Sequence, residues 1–179
     1  MHLKLIYLKH QNWKLKLLSN PKRSMLSDNN ASEIDKNIYQ IALRHLEKRE
    51  HTRLTLRKKL MQKGFLHQSI DAVLDNLSQQ KFLDETRFCE MLIQKRIRQG
   101  YGPLRIIAEC HQYGITDTVI LNQLPQDETF WLLIIQKILT KKFKPNHLLK
   151  EQLRQIRYLQ NRGFRLDQIK ASQKNLSSA

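Results

Sequence analysis

The 179-residue chain suits one ordinary domain or a few small repeated units, and its five Gly and four Pro are too few for the many turns of an all-β protein. Thirty-two Lys and Arg against sixteen Asp and Glu give a formal net charge of +16, a field that attracts nucleic acid, acidic proteins or anionic membrane. Two Cys make no disulfide framework and point to a reducing cytoplasm, and no apolar run approaches the roughly 20 residues of a membrane span.

In chain order, residues 1–24 come first, with six basic residues and no acidic one. Lys4, Lys9, Lys14 and Lys16 break up their apolar content, so a signal peptide's unbroken apolar stretch is missing. Two readings fit this segment. It is an upstream extension ahead of a natural start at Met25, or a weakly amphipathic basic arm that touches DNA or membrane. Residues 25–37, polar and turn-rich, read as a disordered linker.

From about residue 38 the pattern is helical, and the abundance of Leu, Ile, Lys, Arg and Gln agrees with it. A first set of helices is predicted over 38–50, 53–63 and 68–80. Thr52 is the N-cap of the second, and Ile70, Val73, Leu74 and Leu77 form the buried face of the third. A second set is predicted over 85–99, 103–113 and 117–124. Cys89, Ile93 and Ile97 stack at i+4 spacing, and Gly100-Tyr101-Gly102-Pro103 is a break that places Pro at a first helical position. A third set is predicted over 128–142, 147–162 and 166–176, with Trp131, Ile134, Ile135, Ile138 and Leu139 as a core-facing stripe. Asp84-Glu85 and Asp127-Glu128 open the second and third sets. Carboxylates there cap free amides and oppose the helix dipole, a stronger reading than a divalent-ion site.

The three sets are copies. Gly64, Gly114 and Gly163 lie 50 and 49 residues apart, each followed by a bulky apolar residue: Phe65, Ile115 or Phe164. Six residues past each Gly sits Ile70, Ile120 or Ile169; four before sits Leu60, Cys110 or Leu159; ten before sits Leu54, Leu104 or Leu153. A period near 50 marks a supersecondary unit repeated in tandem, and Gly suits the left-handed residue that closes a helix. The expected fold is all-α: a basic extension and linker over 1–37, then three-helix repeats over 38–83, 84–125 and 126–179. A repeat of about 45 residues is marginal alone, so the repeats should lean on one another in an elongated, curved array.

Catalysis finds no support in the motifs. There is no Gly-rich phosphate loop, nucleophile elbow or H-E-x-x-H zinc motif. His45 and His51, six apart, do not share a helix face. Cys110-His111 is the only close Cys/His pair, short of the three or four ligands of a zinc site, and both Cys read as small core residues. The basic residues carry the positive signal. Residues 37–83 hold nine basic and four acidic residues, 84–124 five and five, and 125–179 eleven and four. Arg53 and Arg57 share one helix face, Lys150, Arg154 and Arg157 another, while Arg96, Arg98 and Arg105 flank the glycine break. Tyr101 is the only clear aromatic for base stacking near these clusters. Phosphate or acidic-surface contact is therefore favoured over base recognition.

Four segments, 42–65, FLDETRF (82–88), KRIRQGYGPLRIIAECHQYGI (95–115) and RYLQNRGF (157–164), resemble the RecX regulatory family. The similarity covers residues 38–171. Its most specific part is the string Arg96, Gly100, Gly102, Pro103, Ile106 or Ile107, Glu109, Gly114 and Ile115. The resemblance implies a regulator of recombinational DNA repair and the SOS response. Such a protein binds the RecA recombinase–DNA filament and restrains its extension, ATP hydrolysis and strand exchange. It implies no catalysis, no cofactor, a monomer, and weak, non-specific, salt-sensitive contact with single- and double-stranded DNA. The candidate surface for RecA and DNA is Arg49, Arg53, Arg57, Lys58, Arg96, Arg98, Arg105, Lys150, Arg154, Arg157 and Arg162. Gly64, Gly102, Pro103, Gly114 and Gly163 are structural. Where the family pattern expects a capping Glu, Thr55 stands, so the reciprocal capping box is expected to be lost; Cys89 and Cys110 replace common Ala and Leu. A stand-alone helical DNA-binding protein, such as a transcription factor, is the alternative reading.

Overall fold

The computed structural model describes residues 30–143 and 148–177; the expectations for residues 1–29, and for a helix start at residue 147, lie outside them. Among the described residues there are nine α-helices and no strand: α1 Asn30–Lys48, α2 Arg53–Met61, α3 His67–Gln79, α4 Glu85–Arg98, α5 Pro103–Gln112, α6 Asp117–Gln123, α7 Glu128–Lys142, α8 Leu149–Asn161 and α9 Leu166–Ser177. They form tandem three-helix repeats. None is long and apolar enough to cross a membrane. The helix α1 begins eight residues before the expected 38, inside the expected linker. Residues 30–37 contain no Gly or Pro to stop a helix, and Glu33 in the first turn opposes the dipole.

The chain divides into two compact units, through Phe88 and from Cys89. In the first, α1, α2 and α3 pack on one another. Ile38, Ala42, Leu46, Leu56, Leu60, Ile70, Leu74 and Leu77 are fully buried between them. Phe82 and Leu83, beyond α3, join the same core. The expected loss of the capping box at α2 is corrected. The Thr52 amide donates to Thr55 Oγ1 at 3.0 Å, and the Thr55 amide to Thr52 Oγ1 at 3.2 Å. A hydroxyl at the third position reaches back as a longer carboxylate would. His45 and His51 share no helix face, as the spacing implies, yet their rings meet. His51 lies past the end of α1, where the chain turns back, and its ring meets that of His45 edge-on at 5.9 Å.

In the second unit α5 packs on α6, and α9 on α7 and α8. Cys89, Ile93, Ile106, Cys110 and Ile120 are fully buried, as are Ile135, Leu159 and Ile169. Trp131 is buried edge-on to Phe164, its indole donating to the Pro125 carbonyl at 3.0 Å. The stripe expected on α7 divides: Trp131, Ile135 and Leu139 enter the core, whereas Ile134 and Ile138 are only half-buried, like Ile97 on α4. Asp84 and Asp127 do cap, accepting from the amides of Arg87 and Thr129 at 3.0 and 2.8 Å.

The repeated spacing has a hydrogen-bond cause. Each repeated Gly has φ between +78° and +86°. At all three the Gly amide donates to the carbonyl three residues back, at 2.8–2.9 Å, and at the second and third the next residue also donates back over the turn, Ile115 to the Cys110 carbonyl and Phe164 to the Leu159 carbonyl, at 3.2 and 3.1 Å. These 6→1 bonds close a helix C-terminus and fix the −4, 0 and +1 positions of the repeat together. The −10 position behaves differently: Leu104 and Leu153 are 52% and 45% exposed, so this part of the apolar repeat is not core.

Candidate functional site

The predicted cations fall into two kinds, tied and free. On α2, Arg57 grips Asp71 of α3 with both Nε and Nη2, at 2.9 and 3.0 Å. Arg53 donates to Asp75 at 2.6 Å and also reaches Asp71 at 3.6 Å. The hydrogen bond from Arg57 holds the Asp71 carboxyl below its ordinary range. These two arginines therefore lace α2 to α3, and their charge is largely matched. Arg49 and Lys58 are exposed and have no carboxylate partner among the described residues.

In the second unit the glycine break is held by backbone. The Gly102 amide donates to the Arg162 carbonyl at 2.7 Å, and the Leu104 amide to the Gly163 carbonyl at 3.0 Å. A Cβ on Gly102 would lie 2.4 Å from the Gly163 oxygen, and one on Gly163 would lie 2.5 Å from the Arg105 nitrogen. Only glycine lets the chains approach so closely. Pro103 follows as the buried first residue of α5.

This joint gathers three predicted arginines around Tyr101. The guanidinium carbons of Arg105, Arg162 and Arg96 lie 4.8, 5.2 and 5.8 Å from its ring centroid. Arg162 also donates to the carbonyls of Gln99 and Gly100, at 2.6 and 3.2 Å, and Arg105 to that of Asn161 at 3.3 Å. Arg96 forks onto Glu109, with Nε donating at 2.6 Å and Nη2 donating to the other oxygen. Tyr101, the one clear aromatic candidate for base stacking, is taken up within the fold. Its π-face holds guanidinium groups that fix the helix ends, a cation–π role.

Arg98, Lys150 and Arg157 are exposed, with no carboxylate partner among the described residues. Arg154 is exposed and only loosely paired with Glu151 at 3.3 Å. The Cys110-His111 pair points two ways, since Cys110 is buried while His111 Nε2 lies 2.7 Å from Asp117.

Sequence reasoning missed one arrangement. Lys137, Lys141 and Lys142 of α7 join Arg98 and Arg162 around a groove of about 840 Å³ floored by Ile97, Phe130, Ile134, Ile138 and Tyr158. Lys142 Nζ sits 4.1 Å over the Tyr158 ring and Arg162 5.0 Å from it. A signal was there to find: Phe130, Ile134 and Ile138 recur at i+4, with lysines at 137 and 141 beside them.

Comparison with known proteins agrees with the three-helix pattern. The family model described as "RecX, first three-helix domain" matches residues 39–77, and "RecX, second three-helix domain" matches 84–122. Among similar proteins, "Regulatory protein RecX" of Halorhodospira halophila is 38% identical over 133 residues, 73% of this chain and 83% of that protein. The protein of the same name from Pseudomonas syringae pv. tomato is 35% identical over 134 residues, 74% of this chain and 86% of that one. The crystal structure of RecX from Lactobacillus salivarius superposes with a TM-score of 0.73 at 17% identity, covering 83% of this chain and 99% of that one. The last likeness concerns the fold alone.

Proposed function

The chain belongs to the RecX family, and from that premise we propose that it binds the RecA–DNA filament and restrains its growth, ATP hydrolysis and strand exchange. The proposed work is contact rather than bond-making, done by a monomer in the cytoplasm without a cofactor. One observation carries the reading: exposed cations without carboxylate partners among the described residues, Arg49 and Lys58 in the first unit and Arg98, Lys150 and Arg157 in the second. Such cations are available to phosphates and to acidic protein surface, and release of counterions makes contact with DNA salt-sensitive. Arg53, Arg57 and Arg96 support the helices in this reading, because their carboxylates are already supplied.

The experiment is RecA's DNA-dependent ATPase and strand exchange, with and without the protein, at several salt concentrations. Both activities should fall as protein is added, and the effect should weaken as salt rises. Unchanged activities at equimolar protein at every salt concentration would remove the proposal. Tight, selective binding to one duplex site in RecA's absence would favour the transcription-factor reading instead.

A further inference from the structure

We propose that the groove along α7 is a docking site for an acidic amphipathic helix of a partner protein. The helix α7 is apolar on two sides. Trp131, Ile135 and Leu139 are used up by the unit's core. Phe130, Ile134 and Ile138 form a second stripe about 100° round the helix, and this one lines the groove. A soluble helix ordinarily turns charge outward there, so a second apolar stripe marks a surface for another element.

The rim selects the charge of that element. Arg98, Lys137, Lys141, Lys142 and Arg162 surround the apolar floor, and no carboxylate among the described residues lines it. The complement is an apolar stripe flanked by Asp and Glu. The groove's lining runs from Phe130 to Lys142 on α7, about 18 Å at 1.5 Å per residue, enough for roughly three turns of a docked helix.

Charge removes two other occupants. A second copy brings a formal +16 of its own, and residues 1–24 of this chain bring six basic residues and no acidic one. Both would meet the rim with repulsion. Nucleic acid fits the rim but not the floor. Its phosphates match the cations, yet its aliphatic groups are only sugar edges and the thymine methyl, too small to cover a floor of Ile134 and Ile138, and the Tyr158 ring already carries Lys142 and Arg162. The inference concerns this groove whatever the partner's name, and it stands apart from the RecA reading.

The test uses the full chain and fluorescence anisotropy at near-physiological salt. The probe is a fluorescein-labelled peptide of about 18 residues with Leu at i, i+3, i+4 and i+7 spacing and Glu on the flanks. A scrambled peptide of the same composition, a version with Gln for Glu, and an 18-nucleotide oligo-dT are the comparisons. The acidic amphipathic peptide should bind at least about tenfold more tightly than the scrambled and Gln versions, and oligo-dT should displace it poorly. Ile138→Glu and Lys141→Glu should each weaken it at least about fivefold, with Lys63→Glu, an exposed cation of the first unit, binding like the parent. Lys141 is exposed, so its variant carries the result even if circular dichroism shows Ile138→Glu unfolded. Equal binding of the scrambled peptide, no binding at all, displacement by oligo-dT at equal concentration, or parental binding by Lys141→Glu would each overturn the proposal. Because neither RecA nor its filament is in the assay, such a failure leaves the filament reading where it was.

Discussion

His51 shows how one side chain can set a pH response. It is 3% exposed, its Nδ1 lies 3.4 Å from Thr55 Oγ1, and its ring abuts His45. Burial, and then the charges of Arg49 and Lys59, push its imidazole from 6.5 down to about 4. Between those values the unfolded chain binds the proton and the folded chain does not. Stability from this residue is therefore complete above pH 6.5 and is lost as the pH falls toward 4, by up to about 3 kcal/mol. Urea unfolding of the parent should show a midpoint that drops over this window, and His51→Gln should flatten the drop. A parent midpoint that stays level from pH 7 to pH 4 would contradict the assignment. Asp71 acts in a separate window. Arg57 holds its carboxyl low, so that contribution is lost only as the pH falls below the ordinary carboxylate range. The cysteines show the opposite of reactivity. Cys89 and Cys110 are fully buried, and their mutual hydrogen bond together with burial raises the Cys110 thiol. A thiol reagent should find neither in the native protein and both in guanidinium; rapid native labelling would show that the core opens. The small, buried character of the cysteines was legible from their apolar stripes. The histidine contact was not, because residue spacing describes a straight helix and His51 lies beyond one.

At the scale of elements, helix ends matter more than helix middles. The Arg87 guanidinium, on α4, donates to Glu50 at 2.6 and 3.2 Å and to the carbonyls of Lys81 and Phe82 at 3.2 and 3.1 Å. Glu50 lies past the end of α1 with its side chain 3% exposed. Removing one partner leaves a buried charge, so Glu50→Ala should destabilise the first unit by about 3 kcal/mol or more. Chemical denaturation followed by far-ultraviolet dichroism measures this; a loss under about 1 kcal/mol would mean that water reaches Arg87 freely. The repeated glycines, alike in sequence, should differ in cost. Gly64 has φ +85° and open space around it, so Gly64→Ala should cost about 1–2 kcal/mol from backbone strain alone. Gly163 adds a clash with the Arg105 backbone, so Gly163→Ala should cost roughly 3 kcal/mol or more. Equal losses at the two sites would mean that the turn rather than the close approach governs both. The 50-residue period revealed the three turns because one hydrogen-bond pattern repeats. It could not reveal that Gly163 meets Gly102, since that contact joins positions 61 residues apart.

For the molecule as a whole, the question is which of the thirty-two cations act outward. Counting along the chain located the surplus but not the pairing. Arg53 and Arg57 are i, i+4 neighbours on a helix, as the sequence implies, yet the acids that match them come from α3, 14 to 22 residues on. Lys137, Lys141 and Lys142, unremarked in the sequence, share a rim with Arg98 and Arg162 because three helix segments converge there. The pairing gives a quantitative expectation for DNA. Each phosphate neutralised on a single strand releases counterions and adds about 0.7 to the slope of log K against log salt. Lys150 and Arg157 are exposed on α8 and unpaired among the described residues, so replacing both by Gln should weaken oligonucleotide binding and flatten the slope by about 1.4 if each meets one phosphate. Arg57→Gln should lower stability, since it breaks the fork to Asp71, while leaving the slope as in the parent. Salt titrations of the three proteins on one oligo-dT measure both effects. A slope flattened as much by Arg57→Gln as by a replaced α8 cation would show that the carboxylates on α3 do not hold α2's arginines back from phosphate. A slope unchanged by the α8 pair would move the DNA contact off that helix.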